Sequence, residues 1–118
     1  MCIRDRYKGI AVSSGSSFVH ETESQVILNG SYNINFTMDL VLKDTGLFDD
    51  LAKKLNAPLE ISPKIVEIFK DGQKKYGPRA WSSMIVKRME DINNIEFRAD
   101  GFPKELIDDE PEEKGYEI

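Results

Sequence analysis

The sequence predicts an all-α fold, a partial bundle of three to four helices with an acidic, largely irregular C-terminal tail. Three observations predict it. Apolar residues recur at intervals of three and four in the long stretches, the spacing that gives a helix one apolar face. Proline, glycine and asparagine mark the ends of those stretches, and no proline lies within the longest, Asn33 to Leu55. All of the net charge of −5 sits at the end of the chain: Lys104 to Ile118 holds seven acids and two lysines, so the rest sums to zero.

The elements follow in order. Tyr7 to Val12 reads as the end of an element, and Ser13-Ser14-Gly15-Ser16-Ser17 as a small polar break. Ser16 or Ser17 is placed to cap a helix through Phe18, Val19, Val26, Ile27 and Leu28, because a serine hydroxyl accepts from the free N–H groups of a first turn. Asn29-Gly30 closes it, as both residues tolerate the left-handed backbone. Asn33 to Leu55 is the longest periodic stretch, with Asn33 or Asn35 as cap and Pro58 as its stop. Ser62-Pro63 starts the next helix, which shows Ile65, Val66, Ile68 and Phe69 and stops near Tyr76-Gly77-Pro78. A last helix is expected from about Arg79 to Asn94, burying Trp81, Ile85, Met89 and Ile92. Beyond Ile95 the pattern dissolves into a disordered or loosely docked tail. Phe97, Phe102 and Leu106 are its expected anchors, and Asp108 to Glu113 is nearly all acid.

Composition narrows the function classes. At 118 residues the chain is one domain at most. The body has no basic stripe, which argues against a nucleic-acid surface. No apolar run approaches the roughly 20 residues of a membrane span. The one cysteine, Cys2, has no partner for a disulfide. Met1-Cys2-Ile3-Arg4-Asp5-Arg6 is the translation of ATGTGTATAAGAGACAG, the end of a common transposon-based sequencing adapter. Residues 1–6 are therefore read as an assembly scar, residues 7–94 as a helical domain fragment and residues 95–118 as an acidic tail. The protein's own sequence is then expected to begin near Tyr7, in mid-protein.

The Asn33–Leu55 helix carries the chemistry. With Phe36 at zero on a wheel of about 100° per residue, Phe36, Leu40, Leu47, Leu51, Leu55, Phe48, Val41 and Ala52 fall between roughly 0° and 160°. That arc is expected to face the core. Asp44 falls in its middle and Lys43 at its edge. A carboxylate buried there needs a partner, since an unpaired one costs several kcal/mol. Either Asp44 is satisfied structurally, by a neighbouring helix end or a kink at Gly46, or the face meets a polar ligand.

The stretch Phe36-Thr37-Met38-Asp39-Leu40-Val41-Leu42-Lys43-Asp44-Thr45-Gly46-Leu47 resembles the "F…L…KDLGLA" helix of the β-hydroxyacid dehydrogenases. Ser13-Ser14-Gly15-Ser16-Ser17 resembles the family's upstream "SSGRS" segment. Ile27-Leu28 followed by Asn35-Phe36 resembles its "P..L…F" approach, and Leu55 to Pro58 its "G.P.P" turn. The resemblance covers about Tyr7 to Asn93. It implies that Lys43 contacts a nicotinamide dinucleotide, NAD or NADP, and that Phe36 and Asp44 border the substrate pocket. It further implies a cytoplasmic homo-oligomer acting on a small hydroxy acid, with the helical domain at the interface, and no nucleic-acid or membrane partner. Thr45 stands where the family has leucine, Ser16 where it has arginine, and Ala80-Trp81-Ser82-Ser83 where it often has "D.S". The family's glycine-rich dinucleotide turn, substrate-binding glycine loop and catalytic lysine are absent, so no catalytic residue is expected in this chain.

Other readings compete. Asp44-Thr45-Gly46 spells the aspartic-protease triplet, but that chemistry needs paired carboxylates on a β-rich scaffold. His20 has no second ligand at metal spacing and is expected on the solvated surface. Met38, Met84 and Met89 are expected to fill core, and Arg79, Lys87 and Arg88 to form an exposed face. A small non-catalytic helical interaction module is the main alternative. It requires a closed core, an internally satisfied Asp44 and an exposed Lys43, whereas a domain cut from its partner leaves an open apolar patch beside Lys43.

Overall fold

The computed structural model describes residues 2–106 and Gly115. Among them lie five α-helices: α1 (Ile3–Ala11), α2 (Phe18–Asn29), α3 (Met38–Lys54), α4 (Ser62–Tyr76) and α5 (Lys87–Asn93), the last preceded by a 3-10 turn at Ser82–Val86. The only extended pairings among the described residues are single bridges, Asn33 with Glu105 and Thr37 with Trp81. The expected all-α partial bundle is present.

Most helix ends follow the local chemistry. Ser17 caps α2: its backbone is extended and its Oγ accepts from the His20 N–H at 3.0 Å. Gly30, at φ 90°, ends the same helix. Asn56 (φ 52°) ends α3 two residues before Pro58, and Asn94 (φ 50°) ends α5. Two caps differ from expectation. Neither Asn33 nor Asn35 caps α3. Its first amides are met from across the fold, Met38 N–H by the Ala80 carbonyl at 2.9 Å and Asp39 N–H by the Pro78 carbonyl at 3.1 Å. Ser62 opens α4 without capping it, because its hydroxyl donates to Asp49 Oδ1 and so ties α4 to α3.

The apolar arc of α3 does not face the core. The buried residues of α3 are Met38 and Ala52, on a second face about 100° around the helix from the centre of that arc. Alpha helix α4 packs on this second face. Gly72 allows the approach: a Cβ there would lie 2.7 Å from Ile85 Cδ1 and 3.2 Å from Met38 Sδ. Small and unbranched residues thus decide which face packs, and the larger leucines stay outside.

The last helix is also rotated. Met89 and Ile92 are exposed, while Ser82, Ser83 and Glu90 are buried. The segment begins as a 3-10 turn, whose three-residue period shifts the face away from that of a continuous α-helix. Met38 is fully buried as expected, Met84 only partly.

Residues 95–106 are irregular yet docked. Ala99 N–H donates to Leu28 O at 3.0 Å, Asn29 Nδ2 to Phe102 O at 2.8 Å, and Ser31 Oγ to Lys104 O. Phe97, Phe102 and Leu106 are half-buried, as expected of anchors, and Phe102 meets the Tyr7 ring edge-on. The acidic run Asp108 to Glu113 lies outside the described residues. No helix among the described residues is long and apolar enough to cross a membrane.

Candidate functional site

Phe36 sits in the connection between α2 and α3 and is partly exposed. Its carbonyl accepts from Ser82 N–H at 2.8 Å, and Thr37 bridges to Trp81. The segment from Pro78 to Ser83 therefore clamps the entry to α3. Lys43 and Asp44 follow in the second turn of the helix. Their side chains pair with each other, Nζ to Oδ1 at 2.9 Å, and are 60% and 53% exposed. Asp44 is thus neither buried nor in need of an internal partner, contrary to the wheel.

Around this pair the helix surface is apolar and open. Leu47 is 63% and Leu55 68% exposed, and Phe48 and Leu51 lie between them, also exposed. Phe36 and Leu40 continue the strip toward the start of the helix. With no cover among the described residues, this surface puts a cation, a carboxylate and exposed apolar side chains next to one another.

The rival readings fare differently. Asp44 lies inside an α-helix, so its triplet lacks the β-rich frame a protease needs. The exposed Lys43 matches the expectation for a small closed module, but the open strip beside it does not match a closed core. His20 is half-buried and structural, a correction to the solvated position expected. Its Nε2 donates to the Tyr7 carbonyl at 3.0 Å, its Nδ1 accepts from Ser24 Oγ at 3.3 Å, and its ring stacks on Tyr7 with centroids 4.9 Å apart. Of the expected basic face, Arg79 is exposed and pairs with Asp39, while Arg88 is largely covered and pairs with Asp71.

Sequence reasoning missed one cluster. Glu90, 2% exposed, accepts from the Tyr32 hydroxyl, from Arg98 Nη1 at 2.7 Å and from Phe97 N–H at 2.9 Å. Arg98 Nη2 also donates to the Tyr32 hydroxyl at 2.8 Å, and the guanidinium lies over the Tyr32 ring. Burial alone would raise the Glu90 carboxyl, but these donors together hold it below the ordinary carboxylate range. Burial, and then the bond to Glu90, push the Tyr32 phenol up to about 12. No spacing signals this triad, because Tyr32 and Glu90 are 58 residues apart and meet only through the fold.

Known proteins give the arrangement its context. The family model described as NAD-binding of NADP-dependent 3-hydroxyisobutyrate dehydrogenase matches residues 3–89. A 2-(hydroxymethyl)glutarate dehydrogenase of Eubacterium barkeri is 31% identical over 87 residues, which is 73% of this chain and 29% of that protein. An L-threonate dehydrogenase of Escherichia coli K12 is 29% identical over 63 residues, 53% of this chain and 21% of its own length. One of Haemophilus influenzae is 28% identical over 80 residues, 67% of this chain and 27% of its own. The chain thus spans less than a third of the length of the curated relatives it matches. No solved structure gives a significant match. The matched residues include α2, α3 and the clamp at Pro78 to Ser83, so the chain belongs to the β-hydroxyacid dehydrogenases, in the family of the NAD-binding part of NADP-dependent 3-hydroxyisobutyrate dehydrogenase.

Proposed function

We propose that this chain is a helical-domain piece of an NAD(P)-dependent dehydrogenase, and that α3 forms one wall of its cofactor and substrate cleft. The parent would oxidise a small 3-hydroxy acid, or reduce the matching aldehyde or keto acid. The observation that carries the reading is the exposed Lys43–Asp44 pair on an uncovered apolar strip, within the family-matched residues. The relatives named for 2-(hydroxymethyl)glutarate and L-threonate support a small hydroxy acid as the substrate class.

The residues present fit a nicotinamide dinucleotide. Lys43 is reachable, and its charge is shared with one neighbour only, so its ammonium can turn toward an anionic or carbonyl-bearing ligand. When bound, the nicotinamide supplies the site that takes or gives the hydride. Phe36 and Asp44 would border the substrate, Phe36 excluding water and Asp44 accepting from a hydroxyl. No residue of this chain is assigned proton transfer, and the isolated chain is expected to be inactive. The apolar strip that no described residue covers would pack against the rest of the parent or a second copy, which supports a homo-oligomer.

Recovering the upstream reading frame from the source DNA tests this reading. A glycine-rich dinucleotide turn and a lysine-bearing helix before Tyr7 are expected. An upstream frame lacking both would overturn the assignment. Finding adapter sequence in the raw reads would separately establish residues 1–6 as a scar; α1 runs through Ile3 to Arg6 and buries no residue.

A further inference from the structure

We propose that Glu90 and Arg98 are positioning residues that hold the Phe36–Lys43 segment through Tyr32. The functional consequence rests on the reading of Lys43 given above; the positioning itself does not.

The connection between α2 and α3 contains two left-handed residues that are not glycine, Tyr32 at φ 55° and Asn35 at φ 56°. A Cβ disfavours that backbone, and it persists where the surroundings over-determine it. At Tyr32 they do. Its N–H donates to the Val26 carbonyl at 3.1 Å, and its carbonyl accepts from Ser83 Oγ at 2.6 Å. Its hydroxyl lies between Glu90 and Arg98, and the guanidinium carbon is 5.3 Å from the ring centre. Gly30 leaves the space for this, since a Cβ there would come within 2.5 Å of Arg98 Nε.

Ser83 joins the triad to the site. It is fully buried, and the amide of its neighbour Ser82 holds the Phe36 carbonyl. Tyr32 and Phe36 are thereby fixed to the same two serines, one on each side of the left-handed Asn35. Glu90 and Arg98 lie beyond residue 89, where the family match ends. So does the docked strand of irregular chain that reaches Glu105, opposite Asn33. Glu90 and Arg98 therefore lie outside the family-matched region, and act on the site through Tyr32 and Ser83, which lie inside it.

Amide hydrogen exchange by nuclear magnetic resonance on the 118-residue chain tests this. The reporters are Ser82 N–H, bonded to Phe36, and Met38 N–H, which starts α3; central amides of α3 and α4 are controls. In Arg98→Met the reporters should exchange roughly tenfold faster relative to the controls, a local opening rather than a global one. Arg98→Lys should recover part of the protection. Tyr32→Phe removes only the hydroxyl and should shift the same reporters less, which keeps the test decisive if Arg98→Met fails to fold. Equal acceleration of reporters and controls, or no change at the reporters, would overturn the proposal. The upstream reading frame separates the two readings. Local loosening in a chain whose upstream frame lacks the glycine-rich turn would support the positioning role and count against the cofactor contact.

Discussion

Lys43 Nζ lies 2.9 Å from Asp44 Oδ1 although the two residues are consecutive on α3 and project about 100° apart. The lysine bends back over the helix surface to reach its neighbour. A pair this exposed contributes little to stability, because water screens both charges and the lysine gives up rotamer freedom. Lys43→Ala should therefore change unfolding free energy by about 0.5 kcal/mol or less. In the full-length parent the same substitution should raise the KM for NAD(P) by roughly tenfold or more, as expected on losing a binding contact. Urea unfolding of the chain and steady-state kinetics of the parent read the two effects. A large stability loss with unchanged KM would show that Lys43 serves the fold.

The strip of Leu47, Phe48, Leu51 and Leu55 should make the isolated chain self-associate and bind a hydrophobic dye, since exposed contiguous apolar surface marks an interface. Leu47→Glu with Leu51→Glu should abolish both at nearly unchanged helix content. Sedimentation and circular dichroism decide it. If the double variant loses its helices, the strip is core and not interface.

Gly30→Ala should be costly on two counts. Gly30 has φ 90°, where a Cβ is strained, and that Cβ would meet Arg98 Nε at 2.5 Å. A loss of about 1–2 kcal/mol is expected from the backbone alone, more if Arg98 is displaced. Met38→Ala, at a fully buried site against Gly72, should cost about 2–5 kcal/mol through the cavity left behind. Chemical denaturation measures both.

The Tyr32–Glu90–Arg98 triad makes stability depend on pH at both ends. Glu90 is held below its ordinary value of 4.5, so its contribution is complete above that pH and is lost as pH falls through the folded value. Tyr32 is raised from 10.0 to about 12, so its contribution is complete below pH 10.0 and is lost as pH rises toward about 12. Urea midpoints across pH should fall in both directions. Tyrosinate absorbance should show late titration of Tyr32 and also of Tyr76, which burial and its bond to Asp91 raise, and Tyr32→Phe should remove the step at about 12. A single ordinary titration in the unmodified chain would contradict the triad.

Much of the fold is legible locally. Ser17 acts through its hydroxyl, and Gly30 and Asn94 through their tolerance of the left-handed backbone, so these helix ends could be placed from residue type and position. The family was legible too, because the Phe36–Leu47 pattern and its flanking motifs lie in one order along the chain. The start of α3 was not, since its amides are met by carbonyls some 40 residues away, at Pro78 and Ala80.

What the sequence determined by itself was therefore the helices, most of their ends, and the pairing of a cation with an apolar strip on α3. Those follow from short-range backbone and spacing rules. Only the tertiary structure decided which face of α3 is inside. Periodicity measures that a face is apolar, not what covers it. Here Gly72 and Met38 let α4 pack on the less apolar side and leave the leucines open. The tertiary structure alone also joined Tyr32 to Glu90 and Arg98. A buried charge is satisfied by whatever the fold brings within about 3 Å, and separation along the chain carries no trace of that.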